Sequence, residues 1–176
     1  MPRPPRLLAA GYVFHVFNRG VRRLPLFAGD DDYRCFQGLM GRSLERCPVR
    51  LLAYCLMPNH WHLVLWPEDA QAIPAYMKRL TWSHSCYYNS AHGTSGHSYE
   101  GRYRSVGVRD ERQLLTLLRY VEGNAVRAGL VARAEQWRWS SLHRCAAVRL
   151  AESPIPRPDN WLEIIHVPPE PLKLLR

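Results

Sequence analysis

Two histidines at the start of an apolar segment have the spacing of a metal-binding pair. His60 and His62 lie two apart in Tyr54-Cys-Leu-Met-Pro-Asn-His-Trp-His-Leu-Val-Leu-Trp66. Successive side chains on a strand point to opposite faces, so the two imidazoles share one face while Trp61 and Leu63 point to the other. Such a pair can bind one divalent cation if a third ligand comes from elsewhere in the fold. The alternative is a structural pair, satisfied by hydrogen bonds at the start of a strand.

A candidate third ligand lies about sixty residues further on, in Gln113-Leu-Leu-Thr-Leu-Leu-Arg-Tyr-Val-Glu-Gly-Asn-Ala-Val-Arg-Ala-Gly129. Its leucines and valine recur at helical spacing, and Gly129 is a stop signal. Tyr120 and Asn124 are four apart, which places both on one face of the predicted helix. An amide oxygen is an acceptable ligand for a hard cation, and the phenol would lie within reach of that ion. Alternatively, Tyr120 is an ordinary residue of an amphipathic helix and Asn124 a polar residue at its end.

The elements that must position these residues alternate in type along the chain. We predict strands over 12–18, 50–56, 60–66 and 104–109, helices over 31–46, 70–88 and 113–129, and a mobile loop over 89–98. The Met57-Pro-Asn59 connection is short enough for a hairpin. The order βαββαβα predicts an α+β fold, an antiparallel sheet with helices packed on one face.

Four motifs occur in a fixed order along the sequence. They are Met57-Pro-Asn-His-Trp-His-Leu63, Glu100-Gly-Arg-Tyr-Arg-Ser105, Tyr120-Val-Glu-Gly-Asn-Ala-Val-Arg-Ala-Gly129 and Trp137-Arg-Trp-Ser-Ser141. Together they resemble the motifs of the single-tyrosine HUH transposases, and most closely the REP-associated tyrosine transposases. The resemblance runs from about Gly11 to Ser141. The family usually has proline after the asparagine, where this chain has Ala125; the difference removes no reactive group.

The resemblance implies a ferredoxin-like HUH endonuclease fold, with the tyrosine helix lying across the sheet beside the histidines. It implies that Tyr120 is the nucleophile and that His60, His62 and Asn124 bind Mg²⁺ or Mn²⁺. The implied substrate is single-stranded or hairpin DNA of the repetitive extragenic palindrome (REP) type, with a short recognition sequence on its 5′ side. Relatives include dimers that exchange the tyrosine helix and proteins that work alone, so a monomer and a homodimer both stay open.

The charge of the chain indicates a polyanionic partner. The net charge is +9, and ten arginines face four acidic residues between positions 101 and 149. Arginine presents planar, forked donors that suit phosphates and stack on bases. The predicted DNA contacts are first the two arginines of the second motif and then four further cations: Arg102, Arg104, Lys78, Arg79, Arg119 and Arg127. Each could equally be a solvated charge, and an arginine-rich composition could reflect a biased genome.

The composition predicts a single globular domain over residues 1–150, followed by a proline-rich tail over 151–176. Five cysteines without CxxC spacing indicate reduced thiols in a bacterial cytoplasm, where the protein would be associated with the nucleoid. No apolar run approaches the length of a membrane span. The tail is a solvated extension, a turn or short strand near 161–167 that docks on the body, or a flap that tunes the active site.

The predicted function is cleavage and joining of DNA by transesterification. Tyr120 would attack a backbone phosphorus, leaving a 5′-phosphotyrosine and a free 3′-hydroxyl. Two other functions remain possible. One is a non-catalytic nucleic-acid-binding module in which aromatic residues such as Tyr103 stack on bases. The other is a replication initiator or relaxase with the same histidine chemistry, which the small size and the single tyrosine in that helix disfavour.

Overall fold

Four strands and five helices make up the part of the chain that the computed structural model describes, residues 12–166. The strands are β1 (Phe14–Arg19), β2 (Val49–Met57), β3 (His60–Pro67) and β4 (Arg104–Gly107). The helices are α1 (Asp30–Leu44), α2 (Ala72–His92), α3 (Glu111–Glu122), α4 (Asn124–Arg127) and α5 (Trp161–His166). Single 3₁₀ turns cover Val21–Arg23 and Ala134–Gln136.

The strands form one antiparallel sheet in the order β2-β3-β1-β4. With α1 and α2 as the connections, this is the βαββαβ arrangement of the ferredoxin-like fold, and the prediction of an α+β antiparallel sheet is confirmed. The hairpin between β2 and β3 is also as predicted, since Met57 pairs with His60 across a turn of two residues. That turn is fixed from outside the hairpin, because the backbone N–H of Leu26 donates to the Pro58 carbonyl at 2.8 Å.

Each face of the sheet carries its own apolar cluster. Helices α1 and α2 cover one face, where Phe36 and Tyr76 pack against Trp61 and Leu63 of β3. Helix α3 covers the opposite face together with α5, and its leucines pack against Val64 and the neighbouring residues of β2. The prediction that helices pack on one face describes α1 and α2, and α3 lies on the histidine face, as the family resemblance implies. Because side chains alternate along β3, the histidine face also carries apolar residues such as Val64, and α3 buries them.

The free edge of β2 is covered by the last of the four motifs. The backbone N–H of Leu56 donates to the Trp139 carbonyl at 2.9 Å, and that of Ser141 donates to the Tyr54 carbonyl at 2.9 Å. The Trp137 indole N–H also donates to the Leu56 carbonyl at 2.9 Å. Covering an edge in this way satisfies backbone groups that would otherwise be open to pairing with another chain.

Two predicted boundaries differ from the structure. Helix α2 continues to His92 and ends at Gly93, whose φ of 61° lies in the left-handed region that favours glycine. The predicted loop over 89–98 is thus shorter than expected, because its first four residues belong to α2. The tyrosine helix, predicted to be continuous, ends at Glu122, and α4 begins at Asn124 after Gly123. None of the helices within residues 12–166 is both long enough and apolar enough to span a bilayer.

Candidate active site and nucleic-acid interface

The two histidines of β3 lie side by side on the face of the sheet that α3 covers. Their ring centroids are 5.1 Å apart and the rings are nearly perpendicular. His62 is 6% exposed, and it pairs in register with Phe17 of β1. The residues between and after them, Trp61 and Leu63, are fully buried on the other face. The alternation predicted from the sequence is therefore present.

Each histidine uses its Nδ1 atom for a hydrogen bond inside the protein. His60 Nδ1 is 2.8 Å from Asn59 Oδ1, and the Asn59 amide is oriented by donating from Nδ2 to the Arg23 carbonyl at 3.1 Å. Because Oδ1 can only accept, His60 carries its proton on Nδ1 and keeps a lone pair on Nε2. His62 Nδ1 lies 2.9 Å from Nε2 of His15. Both ligand candidates thus have Nε2 as the atom that is left for a cation.

Burial keeps these imidazoles neutral, which is the form that binds metal. Desolvation lowers the pKa of His62 well below 6.5, and the neighbouring His15 and His60 lower it further. Desolvation also lowers the pKa of His60, with a smaller contribution from the Arg19 charge. The pKa of His15 falls to about 4 for the same reason, burial.

Helix α3 brings Tyr120 to the histidines. The helix begins at an Asp110 cap, whose side chain accepts from the Gln113 backbone N–H at 2.8 Å. Its apolar face packs on the sheet through Leu114, Leu117, Leu118 and Val121. The half-buried Tyr120 ring meets the His62 ring edge to face, with centroids 5.6 Å apart, and the His15 ring at 5.9 Å. The phenol and the two histidines thus occupy one site, as predicted.

The segment after Tyr120 folds back onto it. Arg127 places its guanidinium 4.4 Å from the centroid of the Tyr120 ring and also donates to the Tyr120 carbonyl. Gly123 leaves little room for a side chain, since a Cβ there would lie 3.0 Å from the Arg119 carbonyl oxygen and 3.1 Å from Ile165 of α5. Asn124 follows this break, 8% exposed, and its Nδ2 has no hydrogen-bond partner within residues 12–166.

An open cavity of about 850 Å³ lies over the histidines and the tyrosine. Four arginines and one acidic residue line it, together with polar and aromatic groups of β1 and the hairpin turn: Arg19, Arg23, Arg102, Arg104, Glu100, Phe17, Asn18, Asn59, His60, His62, Gly101 and Tyr120. The acidic residue is neutralised in place, because Glu100 forms a two-pronged ion pair with Arg19 and the hydrogen bonds from that guanidinium lower its pKa. The cavity is therefore positively charged, which suits a phosphate backbone.

The predicted contact residues divide between this cavity and other places. Arg102 and Arg104, the first candidates, line it. Arg119 is half-buried on α3, next to Tyr120. Lys78 and Arg79 are exposed on α2, which covers the opposite face of the sheet. Asn124 is not among the residues of the described chain that line the cavity.

Several residues of the site were missed by the sequence analysis. His15, Arg19 and Arg23 come from β1 and the turn after it, whereas Asn59 and Glu100 belong to the first and second motifs but were not assigned to the site. Arg23 stands in a strained bend, since Arg22 and Arg23 both have positive φ, 53° and 61°. His15 is a polar residue among apolar ones in β1, which could have marked it as a site residue. Its contact with His62, however, depends on the pairing of β1 with β3.

A buried carboxylate joins the tyrosine helix to the C-terminal segment. Glu122, 2% exposed, accepts hydrogen bonds from Arg157 at 2.8 Å, from the Trp161 indole at 2.7 Å and from the Ser141 hydroxyl at 2.9 Å. The Arg157 guanidinium also donates to the Leu52 carbonyl of β2 at 3.2 Å. Residues 157–166 are therefore docked on the body; the docked turn that the sequence allowed is present, and the solvated extension is wrong for this part.

A comparison with known families decides the relationship. The family described as Transposase IS200 like matches residues 10–124, about two thirds of the chain. The chain belongs to the IS200-like transposase family. Transposases of this family cleave and join DNA, and the resemblance to REP-associated tyrosine transposases is confirmed.

One relative is similar to this IS200-like transposase in sequence and another in structure. A Haemophilus influenzae protein with the provisional name REP-associated tyrosine transposase is 29% identical over 136 residues, which is 72% of this chain and 74% of that protein. A REP-associated tyrosine transposase solved bound to a REP hairpin superposes with a TM-score of 0.66 at 19% identity. The superposition covers 81% of this chain and 84% of that one, and it shows a shared fold.

The residues at the cavity fit a divalent cation of the kind the family implies. His60 and His62 use Nδ1 inside the protein and so have Nε2 left over on one face, and imidazole nitrogen favours Mn²⁺ over Mg²⁺ in affinity. Within residues 12–166 no third histidine, cysteine or carboxylate completes a cluster. The remaining positions would fall to neutral oxygens, among which the amide of Asn124 is the predicted one.

Proposed function

We propose that this protein is a metal-dependent single-strand DNA endonuclease and strand transferase that acts through a covalent 5′-phosphotyrosine. The observation that carries the proposal is the meeting of three groups in one cavity: the Tyr120 ring lies 5.6 Å from His62, and His60 and His62 each keep Nε2 free beside it. A nucleophile beside two neutral imidazoles that can hold a cation is an arrangement suited to metal-assisted phosphoryl transfer.

In the proposed reaction the Tyr120 oxygen attacks a backbone phosphorus. The bond from phosphorus to the 3′ oxygen breaks as the bond to the phenol oxygen forms, so the phosphate remains a diester. A phenol is almost fully protonated at neutral pH, so the proton must pass to a base in the site or to water, and the departing 3′ oxygen takes up a proton. The step is reversible because the diester is conserved, and attack of a 3′-hydroxyl on the phosphotyrosine rejoins a strand.

His60, His62 and Asn124 would hold a divalent cation, which would supply positive charge to the phosphate oxygens and the leaving oxygen. The protein contributes orientation. The strand pairing and the Nδ1 hydrogen bonds fix both imidazoles, and Arg127 holds the phenol ring between its guanidinium and the sheet. We propose Mg²⁺ or Mn²⁺ as the cation.

The proposed substrate is single-stranded or hairpin DNA of the REP type. The positive lining of the cavity supports a nucleic-acid backbone, and the relative solved with a REP hairpin shares the fold. Arg102 and Arg104 at the cavity wall would contact phosphates or the bases that flank the hairpin. Lys78 and Arg79 lie on the other face of the sheet, so contacts from them would require DNA that wraps around the domain.

A labelled-hairpin assay tests the proposal. The purified chain is incubated with a 5′- or 3′-labelled REP-type hairpin that carries its 5′ flanking sequence, with Mn²⁺ or with EDTA. We expect a covalent adduct on a denaturing gel that retains only the label 3′ of the cut and that disappears with EDTA. Cleavage without an adduct would exclude the phosphotyrosine, and equal reaction with a scrambled strand would exclude the hairpin.

A further inference from the structure

A third histidine stands behind the two candidate ligands. His15 of β1 is 2% exposed, does not line the cavity formed by the described residues, and has its Nε2 atom 2.9 Å from Nδ1 of His62. In the antiparallel register His15 lies opposite Val64 and Phe17 lies opposite His62. His15 and His62 are therefore diagonal neighbours on the same face of the sheet.

A hydrogen bond between two neutral imidazoles can run in either direction, and only one direction is compatible with a cation in the cavity. If His62 accepts at Nδ1, its proton is on Nε2, and no lone pair faces the cavity. If His62 donates from Nδ1 to Nε2 of His15, its own Nε2 is a free ligand. His15 then carries its proton on Nδ1, an atom with no partner within residues 12–166.

The neighbouring ligand candidate, His60, also donates from Nδ1, and its acceptor is unambiguous. His60 donates from Nδ1 to Asn59 Oδ1, and the Asn59 amide cannot be reversed without losing its bond to the Arg23 carbonyl. Ligating histidines generally donate their second ring N–H to an acceptor of this kind, which sets both the tautomer and the ring orientation.

We propose that His15 is a positioning residue for His62: its Nε2 accepts the Nδ1 proton of His62 and so keeps the His62 Nε2 lone pair directed at the cavity. This role rests on the proposed function, since it presumes that His62 binds a cation. His15 serves His62 as Asn59 serves His60. Its own ring nitrogens stay out of the cavity, so it acts through His62 and does not touch the substrate.

Three substitutions separate the hydrogen bond from the packing. His15→Phe keeps an aromatic ring against Tyr120 and Phe17 but removes the acceptor. His15→Gln places an amide oxygen near the position of Nε2, within reach of His62. In His15→Asn the side chain is shorter, so its oxygen lies near the position of Nδ1 and does not reach His62. Phe14→Leu, in the same strand but on the opposite face, is the control for disturbed packing of β1.

The measurement is calorimetric titration of the full chain with Mn²⁺ in the absence of DNA, with circular dichroism to check folding. We expect His15→Phe and His15→Asn to weaken Mn²⁺ binding about 10–100-fold, His15→Gln to stay within a few-fold of the native chain, and Phe14→Leu to bind normally. If His15→Phe does not fold, the pair of amide variants decides alone.

The outcomes distinguish this role from the proposed function. A native chain that binds no Mn²⁺ would overturn the metal site and the role of His15 with it. A native chain that binds Mn²⁺ while His15→Phe and His15→Asn bind equally well would overturn the role of His15 alone. If His15→Gln is as weak as His15→Phe, the acceptor role is also wrong, because the imidazole itself would then be needed.

Discussion

Two buried histidines on opposite faces of the sheet look alike by the usual criteria. His84 of α2 is fully buried, and its Nδ1 lies 2.6 Å from the Tyr99 hydroxyl; His62 is nearly as buried, and its Nδ1 lies 2.9 Å from His15. Burial lowers the pKa of both, that of His84 to about 4. The rest of the His84 ring, however, packs against Phe27 and Phe36, whereas His62 opens on a charged cavity.

Burial, a paired ring nitrogen and a lowered pKa therefore do not by themselves distinguish a metal ligand from a core histidine. The same three properties occur in a packed core on the α1–α2 face and in the proposed reactive site on the α3 face. What differs is the surroundings of the second ring nitrogen. Chemistry in this fold is therefore expected on the α3 face only.

The largest effect is expected at the nucleophile. Tyr120→Phe removes one hydroxyl from the α3 face, so cleavage of a labelled hairpin and the covalent adduct should fall by more than about 10³-fold. Hairpin binding in a gel-shift assay should be unchanged. Tyr103 packs against the apolar cluster on the other face, so Tyr103→Phe is the matched control and should cleave normally. Cleavage by the Tyr120 variant would move the nucleophile and break the division between the faces.

The second effect compares the two buried histidines directly. His62→Ala should weaken Mn²⁺ binding by at least about 100-fold, since the loss of a ligand costs no less than the loss of its hydrogen-bonding support. His60→Ala should behave in the same way. His84→Leu should leave Mn²⁺ affinity unchanged and lower the free energy of unfolding by about 1–3 kcal/mol, because the Tyr99 hydroxyl loses a buried partner. Calorimetry and urea unfolding measure the two quantities, and equal Mn²⁺ affinity in all three variants would make His60 and His62 structural.

A smaller effect is expected at Asn124. Replacement by alanine removes a neutral amide oxygen that water can replace, so Mn²⁺ binding should weaken only a few-fold, to be measured by the same titration. Asn89 at the end of α2 is a matched amide remote from the histidines, and Asn89→Ala should bind Mn²⁺ as the native chain does. A loss at Asn124 as large as that at His62 would mean that the amide completes the site directly.

The smallest effect concerns single phosphate contacts. Arg102→Ala and Arg104→Ala should each flatten the logarithmic salt dependence of DNA binding by roughly 0.7, the contribution of one neutralised phosphate on a single strand. Lys78→Ala and Arg79→Ala, on the opposite face, should leave the slope unchanged. Fluorescence anisotropy at several salt concentrations gives these slopes. A change at Lys78 equal to that at Arg102 would show that DNA contacts both faces.

Local patterns were enough to predict that His60, His62 and Tyr120 lie together, but not which residues support them. The alternation along β3 placed His60 and His62 on one face, and helical spacing placed Tyr120 nearby. His15 could not be assigned, because its contact with His62 depends on β1 pairing with β3 across 47 residues of sequence. The break at Gly123 was also missed, since an isolated glycine in a helical pattern does not reveal that Ile165 packs against it.

The fold class followed from the order of elements. The layer that α3 and α5 form on the histidine face of the sheet did not. A βαββαβ order predicts the sheet and the α1–α2 pair, but nothing in the pattern states which face the last helix takes. The tail was obscured by its prolines, which indicate irregular chain whether or not the chain is docked. Its attachment relies on single long-range contacts of Arg157 and Trp161, which no local pattern encodes.

The hydrogen bonds to Glu122 have a practical meaning for anyone who shortens this chain. The match to the family model ends at residue 124 and the last motif at Ser141, which invites a cut near position 150. Such a cut would take away Arg157 and Trp161 and leave the carboxylate with the Ser141 hydroxyl as its remaining side-chain partner within the described residues. A buried charge deprived of its cation is strongly destabilising, and this one lies two residues from Tyr120. The segment that matches the family model is thus shorter than the segment that packs together as one fold.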